Sequence, residues 1–327
     1  MIKIALIGAG FMGTHHSEAY KNVKDVKLIC VFDDNFERAK KIAKNYNCKP
    51  IRRLNDLSRE YIDVIDICVP TPFHKEFILK SAQFTDKVIC EKPIAKTLKE
   101  GEEILKFCEK EKIKLFVGHV VRFFPEYKKA HQIIKEGKLG TVGIVRTSRC
   151  SSFPERTNNW FKDVAKSGGA ILDLLIHDFD FLRWCFGDVQ RVYAEGLIYK
   201  KIKNADYALV ILRFKNGVIA HTEGSWMHNQ FYYGFEIAGA KGMLEYDSRN
   251  ATPMSFFTMK YKKSGSTFVA ESPLKEDPYT AELRHFIDCI KNNKKPLITP
   301  LDAFKALEIS LSAIESIKTG KPVTLQR

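Results

Sequence analysis

The stretch MIKIALIGAGFMGTHH at residues 1–16 decides the fold of the N-terminal part of this chain. A short apolar run, Lys3–Ile7, precedes a helical stretch, and between the two stand Gly8, Gly10 and Gly13. In a strand–turn–helix unit with this spacing, the first glycine permits the tight turn and the second lets a pyrophosphate approach the backbone. The third lets the helix pack closely on the strand, and the helix start offers free N–H groups to the phosphates. The stretch therefore predicts a dinucleotide-binding turn.

The second predicted strand ends at an acidic residue. Val26–Phe32 is followed by Asp33, which stands 20 residues after Gly13. A carboxylate at this position accepts hydrogen bonds from the ribose of an adenine dinucleotide. It would also repel a 2′-phosphate; Asp34 adds to that repulsion, whereas Arg38 partly offsets it. We therefore expect the cofactor to be NAD, with NADP as the less favoured alternative.

Strand and helix patterns alternate along residues 1–118. This alternation predicts an α/β domain with a doubly wound parallel sheet, the Rossmann architecture. In such sheets ligands bind beyond the carboxyl ends of the strands, and two stretches are predicted to lie there, Pro70–His74 and Glu91–Pro93. The later strands are predicted at Val64–Val69, Lys87–Cys90 and Ile113–Gly118, and the helices at Asn35–Tyr46, His74–Phe84 and Thr97–Lys110.

The hydrophobic period changes after about residue 141. Short alternating stretches joined by turns such as Asn216–Gly217 predict a large, mostly antiparallel sheet. The chain is thus expected to have a dinucleotide-binding domain, residues 1–120, and an α+β domain for substrate binding and oligomerisation, residues 121–327. In this second domain only one long helix, Gly169–Phe186, is available before residue 278 to cover a face of the sheet. We therefore expect a second copy of the chain to cover one sheet face in a homodimer or homotetramer. The strands are predicted at Val142–Ser148, Val189–Tyr199, Ala205–Phe214, Val218–Trp226, Tyr233–Ala238, Met243–Tyr246 and Phe256–Tyr261.

A second stretch with chemical content is SGGAILDLLIHDFDFLRW, Ser167–Trp184. On a helix, Asp173, His177 and Asp180 fall on one narrow stripe, while the other faces are apolar. Because ionisable groups are costly to bury without partners, we expect the stripe to face a polar cleft. Ser167 is expected to cap the start of this helix. The alternative is an internal Asp–His hydrogen bond that only holds the helix in place.

Composition argues against several classes of protein. No window approaches the roughly 18 apolar residues of a membrane span, and the N-terminal apolar run is too short for a signal peptide. The net charge of +14 comes from scattered lysines, so a nucleic acid is not expected as a partner. The eight cysteines contain no CxxC pair, which predicts reduced thiols, a cytoplasmic location and no metal site. The lysine groups are Lys40–Lys44, Lys200–Lys203, Lys260–Lys263 and Lys294–Lys295.

Taken in order, these motifs resemble those of the glucose–fructose oxidoreductase and inositol dehydrogenase family, the Gfo/Idh/MocA group. The resemblance covers nearly the whole chain, and its most specific part is Glu91–Lys92–Pro93 followed by the helix with Asp173 and His177. The sequence departs from the family at Gln83–Asp86, where many relatives have a glycine. The other marks of the resemblance are Gly8–Gly13, Pro70–His74, Gly137–Gly140, Trp160, Gly168–Ala170, Pro278–Tyr279 and His285–Asp288.

The resemblance implies NAD(P)-linked oxidation or reduction of a sugar, an inositol or a sugar derivative. It also implies a catalytic set made of Lys92, Asp173 and His177. The implied cofactor contacts are Gly8, Gly10, Phe11, Met12, Gly13, Asp33, Arg38, Thr71, His74, Glu91, Lys92, Arg122 and Trp160. The implied substrate contacts are Lys92, Trp160, Asp173, His177, His228, Tyr232 and Tyr279.

Oxidation of a secondary alcohol requires loss of a hydride and of a proton. Histidine titrates nearest to neutrality, so His177 is the expected general acid/base, with Asp173 orienting its ring. Lys92 is expected to donate a hydrogen bond to the reacting oxygen, and it remains an alternative proton carrier. Two other functions stay open: an enzyme that retains its NAD, as a sugar–sugar oxidoreductase or an NAD-dependent glycosidase, and a non-enzymatic dinucleotide-binding regulator.

Overall fold

The computed structural model of the chain describes residues 1–59, 61–154, 160–197, 206–250, 254–258, 265–268 and 276–325. The lysine groups at 200–203 and 260–263, and the ends of three predicted strands at 198–199, 205 and 259–261, lie outside these residues. None of the helices in the described part of the chain is both long enough and apolar enough to cross a membrane.

The chain divides into two compact units. The first unit comprises Met1–Phe123 and Glu276–Leu307, and the second comprises Phe124–Lys275 and Glu308–Arg327. Residues 276–307, which the sequence-based division assigned to the second domain, therefore belong to the first unit. They do so because their apolar side chains, such as Phe286, pack in the core of that unit.

A parallel sheet forms the centre of the first unit. Its strands are β1 (Ile2–Ile7), β2 (Val26–Phe32), β3 (Lys49–Ile51), β4 (Val64–Ile67), β5 (Lys87–Glu91) and β6 (Lys114–Gly118). They stand in the order β3-β2-β1-β4-β5-β6, and all neighbouring pairs are parallel. This is the order of a doubly wound sheet, as predicted. Only the short edge strand β3 was absent from the sequence-based prediction.

Four helices connect the strands of this sheet. They are α1 (Phe11–Tyr20), α2 (Phe36–Tyr46), α3 (His74–Ser81) and α4 (Leu98–Lys110). The side chain of Asn35 caps α2 by accepting from the backbone N–H of Glu37. At the start of α4, Thr97 and Glu100 form a reciprocal capping box, as their spacing predicts. Local side-chain chemistry therefore sets where these two helices begin.

The second unit is built on a larger sheet. In chain order it contains α5 (Pro125–Lys135), β7 (Val142–Ser152), α6 (Val164–Ser167), α7 (Ile176–Phe186), β8 (Val189–Gly196), β9 (Tyr207–Phe214), β10 (Ile219–Ser225), β11 (Met227–Gly239), β12 (Gly242–Asp247), β13 (Ser255–Thr258) and β14 (Gly265–Phe268). Three further elements follow along the chain: α8 (Pro278–Asn292), α9 (Pro300–Thr319) and β15 (Val323–Thr324). Helix α8 and the start of α9 belong to the first unit, and the rest of α9 and β15 belong to the second. The strand order is β14-β13-β12-β11-β7-β10-β9-β8-β15. Within this second sheet, the β7–β10 pair is the only parallel one among the strand pairs formed by described residues. The prediction of a mostly antiparallel sheet is therefore confirmed.

The two faces of this sheet differ in exposure. Along β9, Val210 and Leu212 are fully buried, whereas Leu209 and Ile211 are 39% and 36% exposed. Helices α5 and α7 lie on the buried face, where the ring of Phe181 on α7 is 5.8 Å from that of Phe235 on β11. The alternation is that of a sheet with one covered and one open face.

The helix predicted at Ser167–Trp184 has three parts. Helix α6 ends at Ser167, and Gly168 and Gly169 follow with φ of 72° and 66°. Ile171–Leu175 then forms a π-helical turn that leads into α7. Ser167 is the last residue of α6 and does not begin a continuous helix, because two successive residues with positive φ end the α-helical backbone there. Its Oγ nevertheless accepts from the backbone N–H of Gly169 at 3.2 Å.

Candidate functional site

The glycine turn between β1 and α1 has the geometry that its spacing predicts. Gly8 has φ of 97°, and a Cβ there would lie 2.6 Å from the carbonyl oxygen of Cys68. A Cβ on Gly13 would lie 1.9 Å from the carbonyl oxygen of Gly8, whereas a Cβ on Gly10 would meet nothing within 4 Å. The space beside Gly10 at the start of α1 fits the pyrophosphate of a dinucleotide.

Asp33 lies directly after β2 and contacts this turn. One of its carboxylate oxygens accepts from the backbone N–H of Ala9 at 2.7 Å, and the other accepts from that of Asn35 at 2.8 Å. The side chain is half-buried. These two bonds fix the orientation of the carboxylate and leave lone pairs for ribose hydroxyls.

Four other predicted cofactor contacts of the first unit differ in exposure. Phe11 is 65% exposed, and its ring lies edge-on to that of His15 at 4.3 Å. Met12 packs against the apolar core. Arg38 is half-buried in the first turn of α2, and Thr71 is buried in the turn after β4. Phe11 therefore presents the largest accessible side chain beside the glycine turn.

Lys92 follows the last residue of β5 and is tied to a buried ion pair. Its backbone N–H donates to Glu91 Oε2 at 3.1 Å, and Glu91 Oε1 accepts from His16 Nε2 at 2.9 Å. His16 Nδ1 donates to Asp66 Oδ2 at 2.8 Å. Glu91 and Asp66 are buried, and His16 has no exposed surface. A chain of hydrogen bonds thus runs from β4 through α1 to the backbone of Lys92.

The charges of this chain follow from its geometry. Because both neighbours of the His16 ring are carboxylates, both ring nitrogens donate and the ring is an imidazolium. Burial lowers the pKa of His16, but the charge and hydrogen bond of Asp66 outweigh burial and raise this pKa well above its usual value. Burial raises the pKa of Glu91, but His16 outweighs burial there too and leaves this pKa lowered. Each charge therefore stabilises the other.

Cys68 also lies beside the His16 ring. Its Sγ is 3.4 Å from His16 Nδ1, and among the described residues His16, Asp66 and Cys68 are the group close enough to share a metal ion. However, the 2.8 Å contact between His16 and Asp66 is a hydrogen bond with a proton between the two atoms. Burial raises the pKa of the Cys68 thiol, which opposes the thiolate that a metal requires. We therefore interpret the group as a hydrogen-bonded network.

Two predicted cofactor contacts make hydrogen bonds inside the first unit. The ring nitrogens of His74 lie 2.7 Å and 2.9 Å from the carbonyl oxygens of Pro93 and Val69. Burial lowers the pKa of His74, although the carbonyl oxygens of Val69 and Pro93 oppose the shift. Arg122 is buried, and its Nη1 donates to the carbonyl oxygen of Leu297 at 2.9 Å. Both side chains thus hold segments of the first unit together.

Tyr279, a predicted substrate contact, lies in the first turn of α8 within the first unit. Its ring is nearly parallel to that of His15 at 5.9 Å, and it is 6.4 Å from the ring of His16. Phe11, His15 and Tyr279 thus form an aromatic row along α1. Burial raises the pKa of Tyr279, so its hydroxyl stays protonated and can donate a hydrogen bond.

In the second unit, Asp173 lies in the π-helical turn and His177 in the first turn of α7; both are half-buried. Asp206, the residue before β9, accepts from the backbone N–H of Ala170 at 2.8 Å. A Cβ on Gly169 would lie 2.6 Å from the same Asp206 oxygen. Burial, together with the charge of Asp173, raises the pKa of Asp206 to about 6. Asp206 and Ser167 therefore both accept from backbone N–H groups before the π-helical turn, Asp206 from Ala170 and Ser167 from Gly169.

The residue after His177 is a buried acid. Asp178 accepts from Arg149 Nε on β7 at 2.6 Å, and Arg149 Nη2 donates to the hydroxyl of Tyr127 at 2.8 Å. Burial raises the pKa of Asp178, although Arg149 opposes the shift. Asp180, predicted to share the stripe of His177, is also almost fully buried, so the accessible stripe is limited to Asp173 and His177.

The remaining predicted residues of the second unit lie in two aromatic groups. The ring of Trp160 is 4.1 Å from that of Phe161, which lies edge-on to Trp226 at 5.6 Å. His228 and Tyr232 meet edge-on at 5.3 Å on β11. Burial is the main cause that raises the pKa of Tyr232 to about 12. The structure thus brings His228 and Tyr232 together, and separately seats Trp160 in an aromatic cluster.

Five charged residues of these networks were not predicted from the sequence: His16, Asp66, Arg149, Asp178 and Asp206. A signal was present for Asp66, which interrupts an apolar strand, and for Asp178, which interrupts an apolar helix. A charged residue in an element expected to be buried indicates a buried partner. The identity of that partner could not be read from the sequence.

Comparison with known proteins identifies the family. Residues 2–119 match the profile of the oxidoreductase family with an NAD-binding Rossmann fold, and residues 127–245 match the GFO/IDH/MocA C-terminal domain. The chain is 30% identical over 337 residues to the uncharacterized oxidoreductase YrbE of Bacillus subtilis strain 168, covering 99% of this chain and 97% of that protein. It is 28% identical over 338 residues to myo-inositol 2-dehydrogenase of Thermotoga maritima, covering 99% of both. A crystal structure of an oxidoreductase domain protein from Kribbella flavida has a TM-score of 0.89 at 21% identity, over 100% of this chain and 99% of that one, which shows a shared fold. The chain therefore belongs to the GFO/IDH/MocA family of oxidoreductases, and residues 2–119 form its NAD-binding Rossmann domain.

Proposed function

We propose that this chain is a dehydrogenase or reductase that transfers a hydride between NAD and a secondary alcohol or ketone of an inositol, a sugar or a sugar derivative. One observation carries the proposal: the side chain of His177 is only half-buried although its neighbours Ile176 and Asp178 are fully buried. An ionisable side chain that keeps some exposed surface on a buried helix is a group that can serve proton transfer. The similarity to a myo-inositol 2-dehydrogenase supports the class of substrate.

In the proposed oxidation, His177 accepts the proton of the substrate hydroxyl while Asp173 orients its ring. Lys92 donates a hydrogen bond to the reacting oxygen and stabilises its developing negative charge. The glycine turn and Asp33 would hold NAD, whose nicotinamide ring would supply the hydride acceptor. In the reverse reaction His177 returns the proton, because general acid and general base are the same group in opposite directions.

The other predicted contacts have supporting parts in this proposal. We assign Trp160, His228, Tyr232 and Tyr279 to substrate recognition, since aromatic faces and polar ring atoms suit the two sides of a polyol. Glu91, His74 and Arg122 are buried and hydrogen-bonded within the first unit. We therefore assign them to holding the cofactor-binding segments in shape.

A panel of substrates tests the proposed function. The purified protein is incubated with NAD and with myo-inositol, other inositols, free sugars and nucleotide-linked sugars, and NADH formation is followed by absorbance. We expect NADH to form with at least one member of the panel. If none reacts, the denatured protein is analysed for released nicotinamide; a full complement would favour the enzyme that retains its NAD. Neither turnover nor bound nicotinamide would favour the regulator.

We also propose that NAD is preferred over NADP. Two like charges about 4 Å apart repel by roughly 1–4 kcal/mol at effective dielectric constants of 80 to 20, so the half-buried carboxylate of Asp33 should disfavour a 2′-phosphate about tenfold or more. Asp33→Ser should narrow the ratio of kcat/KM for the two cofactors. A wild-type ratio that favours NADP would contradict the assignment.

The open face of the second sheet supports a homo-oligomer. Ile144 on β7 is 50% exposed, and Leu209 and Ile211 on β9 lie two residues apart on the same side of their strand. We propose that a second copy of the chain covers this face in a homodimer or homotetramer, because exposed apolar side chains on an open sheet face favour burial by a partner. Sedimentation velocity at micromolar concentration should show the oligomer, and a monomer would contradict the proposal.

The cysteines support a cytoplasmic location. All eight are free thiols, and six of them are buried. Disulfides are rare in reducing compartments, where buried thiols persist as small apolar side chains. We propose the cytoplasm, and fractionation of the source cells should recover the protein there.

A further inference from the structure

A fully buried group of charges lies between α1 and the sheet of the first unit. We call it the His16 network; it consists of His16 on α1, Asp66 on β4 and Glu91 on β5, with the Tyr20 hydroxyl donating to Asp66 at 2.8 Å. Two carboxylates share one imidazolium. Burying charged groups in a protein interior has a large desolvation free energy. A role in addition to holding the helix to the sheet would explain why the network is present.

We propose that His16 is a positioning residue for the reaction: through Glu91 it fixes the backbone of Lys92 and so orients the Lys92 side chain. The inference rests on the proposed function, because there Lys92 contacts the reacting oxygen. His16 acts through Glu91 and is therefore a positioning residue and not a catalytic one.

The division of the Glu91 carboxylate between two donors carries the argument. One oxygen accepts from the His16 ring at 2.9 Å, and the other accepts from the backbone N–H of Lys92 at 3.1 Å. A carboxylate held by a single backbone N–H could rotate about its own bonds. Because the imidazolium fixes the first oxygen, the second stays directed at Lys92. The Lys92 backbone is thereby tied to α1, the helix that opens the dinucleotide turn.

The network also supplies a matched control. The Tyr20 hydroxyl donates to the same Asp66 oxygen that accepts from His16, so it lies on the side of His16 away from Glu91. Tyr20→Phe removes a buried hydrogen bond of the network without touching the Glu91–Lys92 contact. A network with a purely structural role would respond to this change much as it responds to a change at Glu91.

The decisive variant is Glu91→Gln, which replaces the carboxylate with an amide of the same shape. Below the usual imidazole pKa of about 6.5, where the charge of Asp66 still favours the protonated His16 ring, the ring can only donate. The measurement is therefore made there, where the amide oxygen must face His16 and the amide NH2 must face the N–H of Lys92. Two donors cannot bond each other. The backbone N–H of Lys92 therefore loses its acceptor, and we expect its hydrogen exchange to quicken and single-turnover hydride transfer to slow, each by about tenfold or more.

The double variant His16→Gln plus Glu91→Gln should reverse this loss. The amide at position 16 can present its oxygen, so the amide at position 91 can turn round, donate to it and again accept from Lys92. His16→Gln alone leaves two buried carboxylates without their cation and should also release the Lys92 amide. We therefore expect each single variant to be impaired and the double variant to recover to within about threefold of the wild type.

The experiment compares wild type, both single variants, the double variant and Tyr20→Phe in the full-length protein. Exchange is measured by mass spectrometry on peptides that cover residues 90–95, and hydride transfer is measured with NAD and myo-inositol, or with whichever member of the substrate panel reacts. Tyr20→Phe should lower the thermal midpoint but leave exchange and hydride transfer within about twofold of wild type.

Each outcome decides the proposal. The proposal is overturned if the double variant transfers hydride no faster than the single variants. It is also overturned if Tyr20→Phe loses as much hydride transfer as a Glu91→Gln variant of the same stability. If His16→Gln does not fold, Glu91→Gln alone still decides, because unchanged exchange in the folded protein contradicts the mechanism. If the wild type oxidises no member of the panel, the proposed function fails, while the exchange data still decide whether His16 controls the Lys92 backbone.

Discussion

Both units place a predicted catalytic residue next to a buried ion pair, but the two pairs have different cations. In the first unit Lys92 follows Glu91, whose carboxylate is held by His16. In the second unit His177 precedes Asp178, whose carboxylate is held by Arg149. In each case the acid anchors the backbone beside the reactive side chain. Similar solutions are therefore built on a parallel sheet and on a mostly antiparallel one.

The difference between the cations determines how each anchor responds to pH. An arginine remains charged throughout the pH range of protein stability, whereas a histidine can lose its proton. Burial raises the pKa of both acids, but the balance differs: His16 outweighs burial at Glu91, whose pKa is lowered, whereas burial outweighs Arg149 at Asp178, whose pKa is raised. The anchor in the second unit should thus be permanent on the alkaline side, and the anchor in the first unit should weaken there.

The largest effect is expected from replacing His177, the predicted catalytic residue of the second unit, while its anchor of Asp178 and Arg149 stays intact. His177→Ala should lower kcat by about 10²–10⁴, with little change in NAD affinity, because the dinucleotide turn belongs to the first unit. Single-turnover hydride transfer and the thermal midpoint are measured together. A variant that melts early but transfers hydride at the wild-type rate while folded would show that His177 is structural.

The next effect concerns the anchor itself. Arg149→Met should lower the free energy of unfolding by about 3–5 kcal/mol, because Asp178 would be left buried without its cation. The double variant Arg149→Met plus Asp178→Leu removes both charges and should regain most of that loss. Urea unfolding at neutral pH measures both. Equal stability of the single and double variants would mean that Asp178 does not depend on Arg149.

The pH dependence of stability should separate the two anchors. The pKa of His16 is raised in the folded protein. The stabilisation from its protonated ring is therefore complete below the pKa of about 6.5 in the unfolded chain, and it is lost as the pH rises through the pKa in the folded protein. The lowered pKa of Glu91 means that its contribution is lost only as pH falls through its folded value. The groups that face the His16 ring are Asp66, Glu91, Tyr20, Cys68 and Tyr279.

Wild type should therefore lose stability on the alkaline side more steeply than His16→Gln, by at most about 1.4 kcal/mol per pH unit. Urea unfolding at a series of pH values gives the slope. The Arg149→Met plus Asp178→Leu double variant is the control and should keep the wild-type slope. Identical alkaline slopes for wild type and His16→Gln would contradict the difference between the anchors.

The smallest effect on activity is expected from replacing Asp206, whose carboxylate accepts from a backbone N–H and not from a cation. Asp206→Asn keeps an oxygen for the N–H of Ala170, so kcat should change by less than about threefold. Because the folded pKa of Asp206 is raised to about 6, its contribution to stability is lost as pH rises through that value. The asparagine variant should gain stability relative to wild type between pH 4.5 and 7. No relative gain would show that Asp206 titrates normally.

Local rules predicted much of this structure from the sequence. The glycine spacing predicted the turn between β1 and α1, and the positive φ of Gly8 and the open space at Gly10 agree with it. The spacing of Thr97 and Glu100 predicted the capping box of α4. The helical period placed Asp173 and His177 on one helical segment, but it did not predict the π-helical turn at Ile171–Leu175. The start of that turn depends on the positive φ of Gly168 and Gly169 and on the carboxylate of Asp206, which is distant in the sequence.

The sequence by itself determined the order of strands and helices, the dinucleotide turn and the family, because each depends on residues within a few positions of one another. Only the tertiary structure decided which charges meet. His16 contacts Asp66 and Glu91, which stand 50 and 75 positions further along the chain, and Arg149 contacts Asp178 across 29 positions. No local period relates such positions. Their pairing depends on which strand lies beside which helix, and burial then makes the pairing obligatory, because an isolated charge in the core would destabilise the fold.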